Sequence, residues 1–202
     1  AIFWFAAIII AATILISLFP GLFTGQDPAY CVLERHNGPA ASGHPFGFDK
    51  QLRIYSRVIY GARASVSVGV LTTIAVVIIG GTIGAIAGRG GWIDSLLSRI
   101  TDVFFAIPLL LAAIVFSEMF KDSRSITMVV VVLSAFAWTS IARITRGSVM
   151  SAKNEEFVTA ARATGASRAR ILMNHIIPNS MAPIIVYATV ALALIVSEAS
   201  LS

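Results

Sequence analysis

The sequence predicts an all-α fold, a polytopic bundle of transmembrane helices. Of its 202 residues, 57% are hydrophobic and only 12% are charged, and the mean hydropathy is +0.86, which is outside the usual balance of a soluble domain. The apolar residues form continuous runs, not alternating ones. Several runs reach the roughly 20 residues that a helix needs to cross a bilayer core about 30 Å thick. Backbone groups in lipid must be paired within their own segment, so these runs are predicted helices.

Five runs are long enough to be spans. The first has no basic flank in front of it, which distinguishes it from a signal peptide. The last has no polar or basic anchor behind it, and a sixth span is therefore expected to follow. The predicted spans are 1–19, 62–87, 96–116, 126–144 and 181–196.

The distribution of basic residues sets the expected topology. The two sides carry eight and seven Lys and Arg residues, so the number alone does not orient the chain. Residues 162–170 hold three arginines and no acid, which favours a cytoplasmic position for segment 151–178. Segment 20–61 is then an irregular extracytoplasmic loop rich in turn-forming residues. It contains the only cysteine, Cys31, and its acids and histidines lack tight metal-ligand spacing, so no metal site is expected.

Two features inside the membrane concern helix packing. Gly80, Gly84 and Gly88 recur every four residues, which places them on one helix face and predicts close approach of another helix. Pro108 lies within the third predicted span, where a lost hydrogen bond and a ring clash should kink the helix. Pro108 is a candidate for lining a transport pathway, and an ordinary membrane-helix kink is the alternative.

Ionisable residues are sparse in the spans. Asp94, Arg99 and Asp102 lie near the start of the third span, and Arg99 and Asp102 are one turn apart and are predicted to pair. Glu118 and Glu198 lie near span ends. Because an ion-coupled secondary transporter uses ionisable groups deep in the membrane, this placement argues against that class.

Segment 151–178 contains the unusual stretch "FVTAARATGASRARILMNHIIPN". A helix is predicted over 151–164, with Ser151 as its cap and two glutamates in its first turns. Gly165 permits a sharp turn, Ser167 can cap a second short helix, and Pro178 should bar simple continuation into the next span. Small or mildly apolar residues follow helical spacing on one face: Phe157, Ala160, Ala161 and Thr164.

Such a helix-turn-helix suits insertion into a groove on a soluble partner, with arginines gripping acidic groups at the rim. The alternative is an amphipathic segment on the membrane surface. Nucleic acid is an unsuitable partner, because the basic residues are spread between apolar runs and not gathered with aromatic residues on one face.

The stretches "TAARATG" and "HIIPN" resemble the EAA loop of ABC-importer permeases, and segment 151–178 is called the EAA-like loop below. Four residues fall at matching positions, while Thr159 stands in place of the family's glutamate. The resemblance implies that the loop couples the chain to an ATPase through Phe157, Thr159, Ala160, Ala161, Arg162, Thr164, Gly165 and Pro178.

Four further stretches are similar to the C-type permeases of dipeptide, oligopeptide and nickel importers: "HPFGFDKQLR", "SRVIYGARASVSVG", "DVFFAIPLLL" and "SEASLS". The sequence departs from that branch at Arg53–Ile54, where the family reads Gly-Arg-Asp. The resemblance implies that residues 1–202 form one permease domain. It also implies a multi-pass protein that contacts the lipid of a bacterial or archaeal cell membrane. Its implied function is ATP-driven, binding-protein-dependent import of peptides, with nickel or another small solute as the alternative.

The implied partners are a homologous B-type permease, cytoplasmic ABC ATPases and an extracytoplasmic substrate-binding protein. The chain has no Gly-Lys-Ser/Thr phosphate-binding motif, so it is expected to be non-catalytic and to have no cofactor of its own. ATP and Mg²⁺ would be bound by the partner ATPases, whose closure would move the EAA-like loop and switch the spans from inward-open to outward-open. A purely structural membrane scaffold would have no need of the EAA-like spacing.

Overall fold

The computed structural model describes residues 2–24, 48–49, 52–120 and 125–199, and within this part the chain is almost entirely helical. One antiparallel pair of two-residue strands, β1 (Phe48–Asp49) and β2 (Leu52–Arg53), is its only β structure. The predicted all-α class is confirmed. The helices are α1 (Ile2–Leu18), α2 (Pro20–Phe23), α3 (Ile54–Ala87), α4 (Trp92–Phe105), α5 (Leu109–Met119), α6 (Ile126–Ala152), α7 (Glu156–Ala163), α8 (Arg168–Ile171), a π-helical turn (Leu172–Ile176) and α9 (Ile177–Ala199).

The described residues contain three helices long and apolar enough to cross a membrane, Val58–Ala87, Ile126–Ala152 and Arg168–Ser197. A fourth crossing is present if α4 and α5, which bend by 68° at their junction, form one broken span. Three or four of the five predicted spans are therefore present as spanning helices in this part of the chain, and the first predicted run forms the 17-residue apolar helix α1.

The end of the predicted loop 20–61 lies earlier in the structure. Helix α3 begins at Ile54, where the sequence predicted a loop up to residue 61. The sequence did not indicate this start, because the apolar run begins only at residue 62. A helix can also extend through mixed polar and apolar residues once it is nucleated. Cys31 and most of the 20–61 segment lie outside the described residues.

The chain divides into two compact units, 1–67 and 68–202, and α3 runs through the boundary. The prediction of a single domain over 1–202 stays a prediction. The remaining description concerns the second unit, which carries the EAA-like loop.

Pro108 does more than kink the third predicted span. Helix α4 ends at Phe105, and α5 begins after Pro108, whose backbone is extended with φ −61° and ψ 119°. Proline has no N–H to donate and disfavours helical geometry at the preceding residue. The predicted kink at Pro108 is therefore a complete break in the helix.

Helix α6 is the centre of the second unit and contacts α4, α5 and α9. Three apolar clusters lie along it, around Leu133, Ile141 and Val149, which are each at most 1% exposed. Ile141 packs with Ile184, and Val149 packs with Ile176, so α9 runs antiparallel to α6. The core thus extends along most of the length of α6.

The glycine face of α3 lies directly against α6. A Cβ at Gly80 would be 2.5 Å from the Trp138 carbonyl oxygen, and one at Gly88 would be 2.5 Å from Val149 Cγ1. At Gly84 it would be 2.7 Å from Thr145 Cβ and would also collide with a backbone carbonyl oxygen of α6. Residues further along α3 contact residues further along α6, so the two helices run parallel. The two backbones approach closely because three successive turns of α3 lack a side chain.

Candidate functional site: the EAA-like loop

The EAA-like loop begins later than the sequence predicted. Helix α6 continues to Ala152, so Ser151 lies in its last turn, and the prediction of Ser151 as a helix cap is wrong. Three backbone hydrogen bonds close the turn that follows, from the N–H groups of residues 153, 154 and 155 to α6 carbonyls. Glu155 has an extended backbone and occupies the cap position of α7, with Glu156 in the first turn. Both carboxylates lie where the helix dipole favours negative charge.

Helix α7 ends in a Schellman motif centred on Gly165. The Gly165 N–H donates to the Arg162 carbonyl at 3.0 Å, and the Ala166 N–H donates to the Ala161 carbonyl at 3.1 Å. Gly165 has φ +80°, the left-handed conformation that this motif requires. The Thr164 hydroxyl also donates to the Ala161 carbonyl, at 2.9 Å. The predicted sharp turn at Gly165 is therefore a hydrogen-bonded helix end with a fixed exit direction.

Substitutions at Gly165 should separate backbone strain from steric bulk, because a Cβ there would meet no atom within 4 Å. We expect Gly165→Val to destabilise the loop by about 1–2 kcal/mol or more, since a β-branched residue resists positive φ. Gly165→Asn should be tolerated, because asparagine enters this conformation readily. Trypsin cleavage rates at the loop arginines in membrane vesicles measure the difference. Equal cleavage of the two variants would contradict the strain argument.

The segment after Gly165 returns to the membrane without a break. Ser167 caps α8, since its hydroxyl oxygen accepts from the Arg170 N–H at 3.3 Å, as predicted. The prediction that Pro178 bars helix continuation is wrong, because helical structure runs from Arg168 to Ala199. A π-helical turn at Leu172–Ile176 ends two residues before Pro178. Such a wider turn changes the carbonyl register next to the proline, where an α-helical hydrogen bond cannot form.

A small apolar core holds the loop against the end of α6. Val158 of α7 is fully buried and packs with Val149 and Ala152 of α6, and with Ile171 and Ile176. Ala161 and Ala166, the two residues joined by the Schellman hydrogen bond, pack at its edge. The buried face of α7 is thus formed mainly by Val158, and the opposite face is exposed.

The exposed face of α7 forms one wall of a groove of about 500 Å³. Five of the eight residues assigned to ATPase coupling line it, and its other lining residues are Ala166, Arg170 and His175. Thr159 and Arg162 are exposed elsewhere on α7, and Pro178 lies in the first turn of α9. The sequence pattern did not identify Arg170 and His175 as groove residues, because only the fold back at Gly165 brings them beside α7. The five coupling residues that line the groove are Phe157, Ala160, Ala161, Thr164 and Gly165.

A second polar feature joins α4 to α6 near the loop. Arg146 holds Asp94 through two hydrogen bonds, with Nε at 2.5 Å and a terminal nitrogen at 2.9 Å. Arg143 pairs with Asp102 at 2.6 Å. The predicted pairing of Asp102 with Arg99 is therefore wrong, because α6 brings a guanidinium to the polar face of α4. Sequence spacing within one helix cannot reveal a partner 41 residues away.

Comparison with known proteins places the chain in a family. Residues 78–202 match the family described as "Binding-protein-dependent transport system inner membrane component". The chain is 39% identical over 196 residues to the dipeptide transport system permease protein DppC of Alkalihalophilus pseudofirmus, covering 96% of this chain and 64% of the relative. It is 35% identical over 198 residues to the oligopeptide transport system permease protein OppC of Bacillus subtilis, with coverage of 96% and 64%.

A third relative, the glutathione transport system permease protein GsiD of Pectobacterium atrosepticum, is 34% identical over 176 residues, covering 86% of this chain and 58% of the relative. The chain therefore spans less than two thirds of the length of these relatives. The resemblance to C-type permeases is confirmed, and the apolar helices are those of a multi-pass integral protein of the cell membrane. The chain belongs to the family of binding-protein-dependent transport system inner membrane components.

Proposed function

We propose that this chain is a transmembrane permease subunit of an ATP-driven, binding-protein-dependent importer of peptides in a bacterial or archaeal cell membrane. It forms half of the translocation pathway, and a homologous B-type permease forms the other half. A substrate-binding protein delivers the peptide from outside, and cytoplasmic ABC ATPases bind ATP and Mg²⁺ and hydrolyse the nucleotide. Two of the relatives are named for dipeptide and oligopeptide transport, and a third for the tripeptide glutathione.

The observation that carries the proposal is the groove on the exposed face of α7. Most of its lining residues are small, so a partner's backbone can approach closely, and the apolar core beneath holds α7 to α6. Because Val158 connects α7 to Val149 near the end of α6, a push on α7 is transmitted directly to a membrane helix. This chain supplies mechanical coupling, and ATP hydrolysis resides in the partner.

Added bulk in the groove should prevent ATPase docking. Ala160 is the suitable position, because it is exposed and lines the groove, whereas Ala161 is half-buried and packs against the loop's own core. We expect Ala160→Trp to weaken ATPase association by about 1–3 kcal/mol through overpacking, and peptide uptake should fall with it. Ala163→Trp is the matched control, since Ala163 is exposed on the same helix but does not line the groove.

The measurement is recovery of the ATPase with the affinity-purified permease pair, together with uptake of a labelled dipeptide. Equal ATPase recovery for the Ala160 and Ala163 variants would contradict the docking assignment. An amphipathic segment on the membrane surface predicts a different result, namely that an added tryptophan strengthens membrane attachment at either position.

A further inference from the structure

The Asp102–Arg143 ion pair differs from its neighbour in exposure. The side chains of Asp94 and Arg146 are 15% and 36% exposed, and their two-point contact joins α4 to α6. The side chains of Asp102 and Arg143 are 56% and 45% exposed. The Arg143 guanidinium also lies 4.0 Å from the centre of the Phe105 ring, so one of its faces is already covered. The Asp102–Arg143 pair, called the outer pair below, therefore presents two opposite charges at an open surface.

This charged surface lies in the half of α6 that leads into the EAA-like loop. Helix α6 extends from Ile126 to Ala152, and the predicted span ends at residue 144, next to Arg143. Charged side chains near the end of a span are costly against lipid tails, and they face the bundle interior, a water-filled cavity or the aqueous interface. The exposed pair thus favours a side of the bundle that water reaches.

The surroundings of the pair support the same orientation. A cavity of about 350 Å³ adjoins Asp102 and Arg143, and Ser98, Thr101 and Arg146 also line it. Its volume is in the range of roughly 300–1,000 Å³ typical of small-molecule sites. The opposite face of α4 is apolar and exposed, with Trp92, Leu96 and Val103 at 74%, 50% and 66%. Helix α4 therefore has a face suited to lipid and a face suited to water.

We infer that Asp102 and Arg143 line the water-filled route through the permease and contact the charged ends of the transported peptide. A peptide carries an ammonium group and a carboxylate, which are the natural partners of an aspartate and an arginine. The two protein charges neutralise each other while the route is empty, and each can exchange its partner for one end of the peptide. This inference rests on the proposed function, because it takes the substrate to be a peptide.

Cysteine labelling tests whether the pair faces water. Since Cys31 is the only cysteine, a Cys31→Ser background removes the native thiol. Asp102→Cys and Val103→Cys are matched variants at adjacent exposed positions on the two faces of α4, and Ser98→Cys probes the cavity with the outer pair intact. In the assembled complex in inside-out vesicles, a membrane-impermeant cationic thiol reagent should label the Asp102 and Ser98 variants at least about tenfold faster than the Val103 variant, because lipid suppresses the reactive thiolate.

If the Ser98 and Asp102 variants were labelled no faster than the Val103 variant, the inference would be overturned. This is the result expected if the partner permease covers this face of α4. Fast labelling of the Ser98 variant alone would still support it if the Asp102 variant fails to assemble. This readout does not depend on the substrate. Normal labelling without dipeptide uptake by the intact complex would therefore overturn the proposed peptide function, and normal uptake without labelling would overturn only the present inference.

Neutralising the pair distinguishes contact with substrate from a structural role. Arg143→Gln should reduce uptake of labelled dialanine about tenfold at equal levels of assembled complex, which is about 1.4 kcal/mol in the rate-limiting step. The double variant Asp102→Asn and Arg143→Gln restores a neutral hydrogen-bonding pair. If the pair were only structural, the double variant would recover normal uptake, and this result would overturn the assignment. Uptake that stays low supports it.

Discussion

Replacing Gly84 by leucine is expected to separate α3 from α6 and to abolish assembly of the permease. A Cβ at Gly84 would lie 2.7 Å from Thr145 Cβ and closer still to the carbonyl oxygen of Ala142. The colliding atom is backbone, so a change of side-chain rotamer cannot relieve the clash, and the helices must move apart. Overpacking in a close-packed interior costs about 1–3 kcal/mol even where side chains can adjust, and here the expected loss is larger.

Gly81→Leu is the matched control for this prediction. Gly81 belongs to the same helix and is only three residues away, yet a Cβ there would meet no atom within 4 Å. Both substitutions add the same apolar volume and raise helix propensity equally, so only the contact with α6 differs. The yield and size-exclusion profile of the complex with its partner permease are the measurements. A Gly84→Leu complex as monodisperse as the Gly81→Leu complex would contradict close packing at this face.

The positions of the close contacts could be anticipated from the sequence because they depend on local regularities. The four-residue recurrence of Gly80, Gly84 and Gly88 predicts an unobstructed helix face, and the structure places α6 there. Ser167 and Gly165 act within a few residues of their own positions, so their capping and turn roles follow from residue type.

Other features depend on contacts that no local pattern encodes. Ser151 is a good capping residue, but the hydrogen bonds of α6 continue past it, and the cap position moved to Glu155. Pro178 is accommodated by a π-helical turn in the preceding residues, which residue type alone does not predict. Asp102 has a possible partner one turn away and a stronger one on another helix, and tertiary packing decides between them.

A charge at Val158 is expected to have the largest effect of any single change in the EAA-like loop. Val158 is fully buried and is the side chain of α7 that packs into the core formed with Val149, Ile171 and Ile176. Val158→Asp would place a carboxylate there without an opposite charge, which should cost more than about 4 kcal/mol. The core of the loop is small, so we expect α7 to detach locally while the membrane helices stay folded.

Two measurements in inside-out vesicles separate this local effect from global unfolding. Trypsin should cleave the Val158→Asp loop much faster than the native loop, because Arg162, Arg168 and Arg170 lie in it, and ATPase recovery should be lost. Thr159→Asp is the matched control, since it adds the same charge at the adjacent exposed residue and should leave cleavage unchanged. Val158→Ala should give an intermediate result, with a loss of about 1–3 kcal/mol from the truncated side chain. If Val158→Asp and Thr159→Asp were cleaved equally, α7 would not depend on this core, and a push on α7 could not reach α6 through Val158.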